Sequence, residues 1–280
     1  MSDGSSMESF SLDAIHQDPL LIGVSPQHRA ILELIEHAAR SCLPVLVTGD
    51  VGFDLGGTAR LIHGRSARRD GPFLNTHMAL FQSSHAATVE LFGSETTTVL
   101  GDVAGKPGLF ERARGGVLYL DEVESTTPAV QRTLLNFFEQ EAVIPEKARR
   151  EVPVDVHVIA GSRVDLEGEV RNGRFDAGLF GFLSTIRIDI PPLRARRQDV
   201  EPLVRHFLAR VAPGKTIEPA ALRALTDYEW PGDIRQLRGI VERVGLIVEA
   251  DVIRPAHLPD VIASAIGRPL PGDVERASCT

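Results

Sequence analysis

The chain has 280 residues, of which 43% are hydrophobic, enough to fill one large α/β domain and a small satellite. Its net charge of −8 excludes a broad positive field for a polyanion, so nucleic acid is not the expected partner. Cys42 and Cys279 lie far apart and supply neither a disulfide framework nor a metal-ligand spacing, which fits a reducing cytoplasm.

The opening residues, 1–17, are polar and Ser-rich, without a basic n-region or continuous apolar stretch; they read as a disordered tail and carry no export signal. No later apolar run reaches the length that spans a bilayer, so no membrane anchor is expected. From Pro26 to Arg40 the residues Ile31, Leu32, Leu34, Ile35 and Ala38 fall at helical spacing, and a β-rich run from Pro44 to Thr48 follows. Further strands are predicted at Val117 to Leu120, Val154 to Ala160 and Ile186 to Ile190. An amphipathic helix runs from Pro128 to Glu139, with Thr127 as its N-cap and Pro128 as its first residue. Strands alternating with helices imply a mostly parallel sheet flanked by helices, with its ligand crevice at the carboxyl ends of the strands. After Pro191 and Pro192 the pattern is purely helical to Ile262. The expected division is an α/β core over 18–193, a small all-helical subdomain over 194–264 and a disordered tail over 265–280.

The first strand ends in a glycine-rich turn, Gly49, Asp50, Val51, Gly52, Phe53, Asp54, Leu55, Gly56 and Gly57, that leads into a helical run. Such a turn binds phosphate when glycines let backbone N–H groups close around the oxygens at a helix N-terminus and a Lys supplies a cation. Here Leu55 holds the Lys position, and sliding the register so that Gly52 and Gly57 are the outer glycines brings Thr58 into it instead. No register restores the cation. Asp54 adds a carboxylate: at an effective dielectric near 20, a unit charge about 4 Å from a phosphate oxygen costs on the order of 4 kcal/mol, an upper figure for a solvated loop. Taken alone, the turn reads first as a plain connection between strand and helix. The second acidic feature is the strand Val117 to Leu120, which finishes in Asp121 and Glu122. In a nucleotide site the first carboxylate holds magnesium and the second orients the attacking water. The plainer alternative is that the pair only terminates the strand.

Four ordered segments carry a family resemblance: Glu90 to Gly93, Pro107 to Phe110, Pro191 to Asp199 and Trp230 to Leu237. Together with the two sites above they make the chain from Leu21 to Ile262 resemble the central AAA+ domain of bacterial sigma-54-dependent transcription activators. The resemblance implies a P-loop-type parallel sheet followed by a helical lid, with ATP and magnesium as cofactors. It also implies that Arg235 reaches the nucleotide from the lid, although an Arg on a lid helix could equally be a surface ion pair.

The departures are as informative. The family's sigma-contacting Gly-Ala-Phe-Thr-Gly-Ala loop matches Thr97, Thr98, Val99, Leu100, Gly101 and Asp102, without its aromatic residue and hydroxyl. The two arginines that the family inserts into a neighbouring subunit's site fall at Asp176 and Phe182, so charge developing on the phosphate oxygens loses its partner. The polar sensor position, usually Asn, holds Arg163, and His77 stands near where the family carries an Asn after Phe73. Two roles for Arg163 are open: neutralising Asp121, Glu122 and Asp54 in an ion network, or gripping phosphate in place of the lost Lys.

These departures lead to the expectation of a cytoplasmic pseudo-ATPase that binds ATP weakly or not at all and acts through protein partners. Those partners would be an intact AAA+ activator, sigma-54 or another regulator, with self-association open and no direct DNA-binding domain in the chain. The alternatives are a residual ATPase that remodels sigma-54 polymerase, and a fold reused outside transcription.

Overall fold

The computed structural model describes residues 19–81, 83–97, 103–140, 142–143, 152–153 and 155–263; both expected tails fall outside them. Contacts divide the chain into two compact units. The first holds Ile31–Gly49 and Asp54–Ile190, the second Pro19–Ala30, Asp50–Phe53 and the chain from Pro191 onward.

The first unit is built on strands β1 (Val45–Gly49), β2 (Phe73–His77), β5 (Val117–Asp121), β8 (His157–Ser162) and β9 (Ile186–Ile190). They form one five-stranded sheet in the order β2-β5-β8-β1-β9, and every neighbouring pair is parallel. Strands β5 and β8 are buried at every position, as continuous apolar runs must be when helices cover both faces. Edge strand β9 alternates instead, with Arg187 and Asp189 exposed between buried Ile188 and Ile190. Two short antiparallel pairs stand outside this sheet, β3 (Gly93–Thr97) with β4 (Val103–Pro107) and β6 (Ala142–Val143) with β7 (Val152–Pro153). Most of the stretch matched to the sigma-contacting loop, residues 98–102, lies outside the described residues.

The third strand expected from sequence, Val154 to Ala160, begins three residues later than predicted and runs two further. It starts where His157 N–H reaches Gly116 O at 3.0 Å, and it lasts through Gly161 and Ser162 because those residues pair with Val47 and Thr48 of β1. Strand β2 gave no apolar signal because an edge strand needs few buried side chains, and none of its five residues is fully buried.

Of the helices in this unit, α2 (Leu55–Arg65), α5 (Pro128–Gln140) and α7 (Ala177–Leu183) matter most for the site; α3 is Ser84–Phe92, α4 Leu109–Arg112 and α6 Leu166–Arg171, while α1 (Pro26–Arg40) belongs to this unit only from Ile31. Helix α5 opens as its sequence dictates, with Thr127 O accepting from Gln131 N at 2.9 Å. Its Phe137 and Phe138 join an aromatic cluster, Phe137 lying 4.1 Å from the Phe110 ring centre and Phe138 stacking on Phe182 at 4.2 Å.

The second unit contains α8 (Val200–Val211), α9 (Pro219–Asp227), α10 (Asp233–Ile247) and α11 (Asp260–Ala263). The expectation that it is purely helical needs one correction: β10 (Thr216–Ile217) and β11 (Val252–Ile253) form a short parallel pair. Thr216 N–H donates to Asp251 O beside this pair, and Glu218, the N-cap residue of α9, donates its N–H to Ile253 O. Trp230 is the largest buried side chain of this unit, and its indole N–H donates to Leu225 O at 2.8 Å. No helix among the described residues is long and apolar enough to cross a membrane.

Candidate functional site

In the first unit the carboxyl ends of β1, β5 and β8 bring together Gly49, Asp54, Leu55, Gly56, Asp121, Glu122 and Arg163. Leu55, the first residue of α2, is fully buried and folds back over the end of β1, its Cδ2 lying 3.1 Å from where a Cβ on Gly49 would be. Asp54 is the N-cap of the same helix: its Oδ1 accepts from Gly57 N–H at 2.8 Å, and its Oδ2 pairs with Arg60 at 3.1 Å. One of the free N–H groups that a phosphate would use, that of Gly57, is therefore already taken by a carboxylate at the positive end of the helix dipole.

Asp121 closes β5 almost completely buried. One oxygen accepts the Tyr119 hydroxyl at 2.7 Å, and the other lies 3.3 Å from Nδ1 of His77, its register partner on β2. Burial raises the Tyr119 phenol far above its ordinary value, with the charge of Asp121 as the second cause, so Tyr119 is a permanent donor here. Its ring fits because Gly161 on the adjacent strand has no side chain: a Cβ there would stand 2.2 Å from the Tyr119 oxygen. Glu122 sits in the left-handed region at φ 56°, a conformation that costs a non-glycine residue about 1–3 kcal/mol.

Arg163 follows the end of β8. Its backbone N–H donates to Glu124 Oε1 at 3.1 Å, its Nη1 is buried without a hydrogen-bond partner, and among the described residues it forms no ion pair. Among the described residues no ion pair joins Arg163 to Asp54, Asp121 or Glu122; Arg60 pairs with Asp54, and Tyr119 and His77 lie against Asp121. Sequence reasoning missed Tyr119, Arg60 and Gly161 because their roles depend on contacts across the sheet and along α2.

The remaining predicted residues, Asp50, Val51, Gly52, Phe53 and Arg235, are in the second unit. Asp50 pairs with Arg194 at 2.9 Å, Gly52 O accepts from Arg235 N–H at 3.4 Å, and Phe53 is buried with the Arg196 guanidinium 5.6 Å from its ring centre. Val51 is exposed, as is the Arg235 side chain on α10.

The sheet order, the glycine turn and the acidic strand end coincide with two family models: residues 21–189 match the sigma-54 interaction domain and residues 194–269 the AAA+ ATPase lid domain. The chain belongs to the sigma-54 interaction domain family. The sigma54-dependent transcriptional regulator SfnR of Pseudomonas fluorescens is 36% identical over 243 residues, which cover 83% of this chain and 66% of that protein. The C4-dicarboxylate transport regulatory protein DctD of Rhizobium meliloti is 36% identical over 261 residues, 91% of this chain and 56% of its own. Among solved structures, NtrX from Brucella abortus in complex with ATP superposes with a TM-score of 0.75 at 31% identity, covering 93% of this chain and 59% of NtrX. The chain thus spans less than two thirds of the relatives it matches.

Within the sigma-54 interaction domain family the two positions expected to carry trans-acting arginines have structural duties here. Asp176 caps α7 by accepting from Leu179 N–H at 2.9 Å, and Phe182 fills the aromatic cluster against Phe138. Gln131 of α5 braces this region, donating to Thr126 O and Arg174 O and accepting from Asp176 N–H at 2.8 Å.

Proposed function

We propose that this chain is a sigma-54-activator-like AAA+ module that serves transcription regulation as a pseudo-ATPase in a bacterial cytoplasm. It acts by associating with protein partners: an intact AAA+ activator, sigma-54, another regulator or a second copy of itself. The observation that carries this reading is the Asp54 carboxylate on the Gly57 N–H, followed by a fully buried Leu55 in place of an ammonium. A magnesium triphosphate does not fit those residues: its negative charge would meet a carboxylate at the helix end, and the cation beside it, Arg60, is already paired with that carboxylate. Asp121, the residue proposed for magnesium, already accepts from Tyr119. The division into a core over 18–193 and a lid over 194–264 belongs to the same proposal.

A residual ATPase is the competing reading, favoured by Asp121 and Glu122 at the end of β5 and by Arg235 on α10. Calorimetric titration with ATP and magnesium separates the two. The pseudo-ATPase reading expects dissociation constants of about a millimolar or weaker. Micromolar binding, or phosphate release abolished by Glu122→Gln, establishes the ATPase instead. Recovery from native cells then identifies the partner, and the proposal expects sigma-54 or an intact activator among the proteins retained.

A further inference from the structure

The second unit grips the turn Asp50–Phe53 with contacts that phosphate binding does not call for. Gly52 has φ +101°, and a Cβ on it would stand 2.2 Å from Gly232 O, so two backbones meet where only glycine fits. Gly52 O accepts from Arg235 N–H at the start of α10, and Arg194 pairs with Asp50 at 2.9 Å. Phe53 is 2% exposed, and the Arg196 side chain beside it is also 2% exposed.

Arg196 explains why an aromatic residue stands in a glycine turn. Its guanidinium lies 3.9 Å from Asp233 Oδ1, but that carboxylate is already used by Leu193 N–H and Ile234 N–H, and Nε and Nη2 of Arg196 have no hydrogen-bond partner. A guanidinium removed from water and incompletely hydrogen-bonded needs another source of negative potential, and an aromatic face is one. The Phe53 ring supplies it.

We infer that Asp50–Phe53 is a built-in strap, locked onto the helical unit by Phe53 beneath Arg196 and Asp50 against Arg194, with no ligand required. The segment that would close around a phosphate is held by the protein's own side chains. Opening it requires breaking an ion pair and withdrawing Phe53 from a buried guanidinium. The contacts that carry this inference differ from those of Asp54 and Leu55, so it stands or falls separately from the pseudo-ATPase reading.

Hydrogen–deuterium exchange on the full chain tests the strap through two amides bonded in it, Phe53 N–H on Asp50 O and Arg235 N–H on Gly52 O. In the unliganded protein both should exchange at least about tenfold slower than in an unstructured peptide, and millimolar ATP with magnesium should leave them unchanged. Phe53→Thr and Gly52→Ala should each accelerate both amides by about tenfold, and Arg194→Ala by about threefold, while amides of β5 and α9 stay protected. Unprotected amides in the wild-type protein, further protection on adding nucleotide, or variants that leave both amides unchanged each overturn the strap. Should Phe53→Thr also open β5 and α9, Arg194→Ala decides, because that half-exposed side chain is not part of the core; no acceleration there overturns the inference.

Discussion

Asp54 has two separable effects on α2, and three proteins resolve them. Its side-chain oxygen accepts from Gly57 N–H at 2.8 Å, and its charge faces the positive end of the helix. Asp54→Ser keeps a capping oxygen and removes the charge, which should cost about 0.3–1 kcal/mol. Asp54→Ala removes the cap as well and should cost about 1 kcal/mol more. The pair with Arg60 adds little to either figure, because Asp54 is 65% exposed and water screens it. For a chain of this size the Ala variant should therefore melt roughly 3–8 °C below the wild type and the Ser variant between them. Urea denaturation in low and high salt gives the decisive comparison. Salt should shrink the difference between wild type and Ser while leaving the Ser–Ala gap intact, since only the first is Coulombic. Equal stability of all three proteins would refute a carboxylate-capped helix end and remove the main support for a site unable to take phosphate.

Gly161→Ala drives a Cβ to 2.2 Å from the Tyr119 oxygen and should cost about 1–3 kcal/mol. In a double-mutant cycle read by denaturation, Tyr119→Phe should recover part of that loss, and strictly additive effects would deny the contact. Phe182→Arg puts a guanidinium at the position matched to an arginine finger. It should lose about 1–3 kcal/mol of packing against Phe138 without producing phosphate release; measurable turnover would contradict the pseudo-ATPase reading. His157 is buried in β8 with Nε2 2.9 Å from Leu43 O, and burial lowers its pKa, assisted by the charges of Arg68 and His63. Below about pH 6.5 the unfolded chain takes up a proton that the folded protein refuses, so stability should fall with pH by at most about 1.4 kcal/mol per unit from this group. Denaturation curves at descending pH should show a shallower decline in His157→Gln; an unchanged slope would remove His157 as its source.

Central strand β5 was legible because a sheet covered on both faces writes itself as an unbroken apolar run, Val117 to Leu120, while edge strand β9 showed itself by the alternation of Ile186, Ile188 and Ile190 with Arg187 and Asp189. Edge strand β2 was not legible, since Phe73–His77 needs few buried side chains. The parallel pair Thr216–Ile217 with Val252–Ile253 was hidden for another reason: two residues are too few for any periodicity.

At the candidate site, the missing ammonium at Leu55 and the added carboxylate at Asp54 were plain in the order of residues alone. The family was plain as well, because its turns and strand ends are contiguous segments. What occupied the vacated positions was decided only in three dimensions. Arg163, adjacent in sequence to β8, could have met any of three carboxylates, yet Arg60, Tyr119 and His77 reached Asp54 and Asp121 instead. Likewise Phe53 reads as an oddity in a glycine turn until Arg196, more than a hundred residues later, is found buried against its ring. A one-dimensional pattern records which groups a segment has lost; which distant side chain takes their place depends on distances that only the packed chain sets.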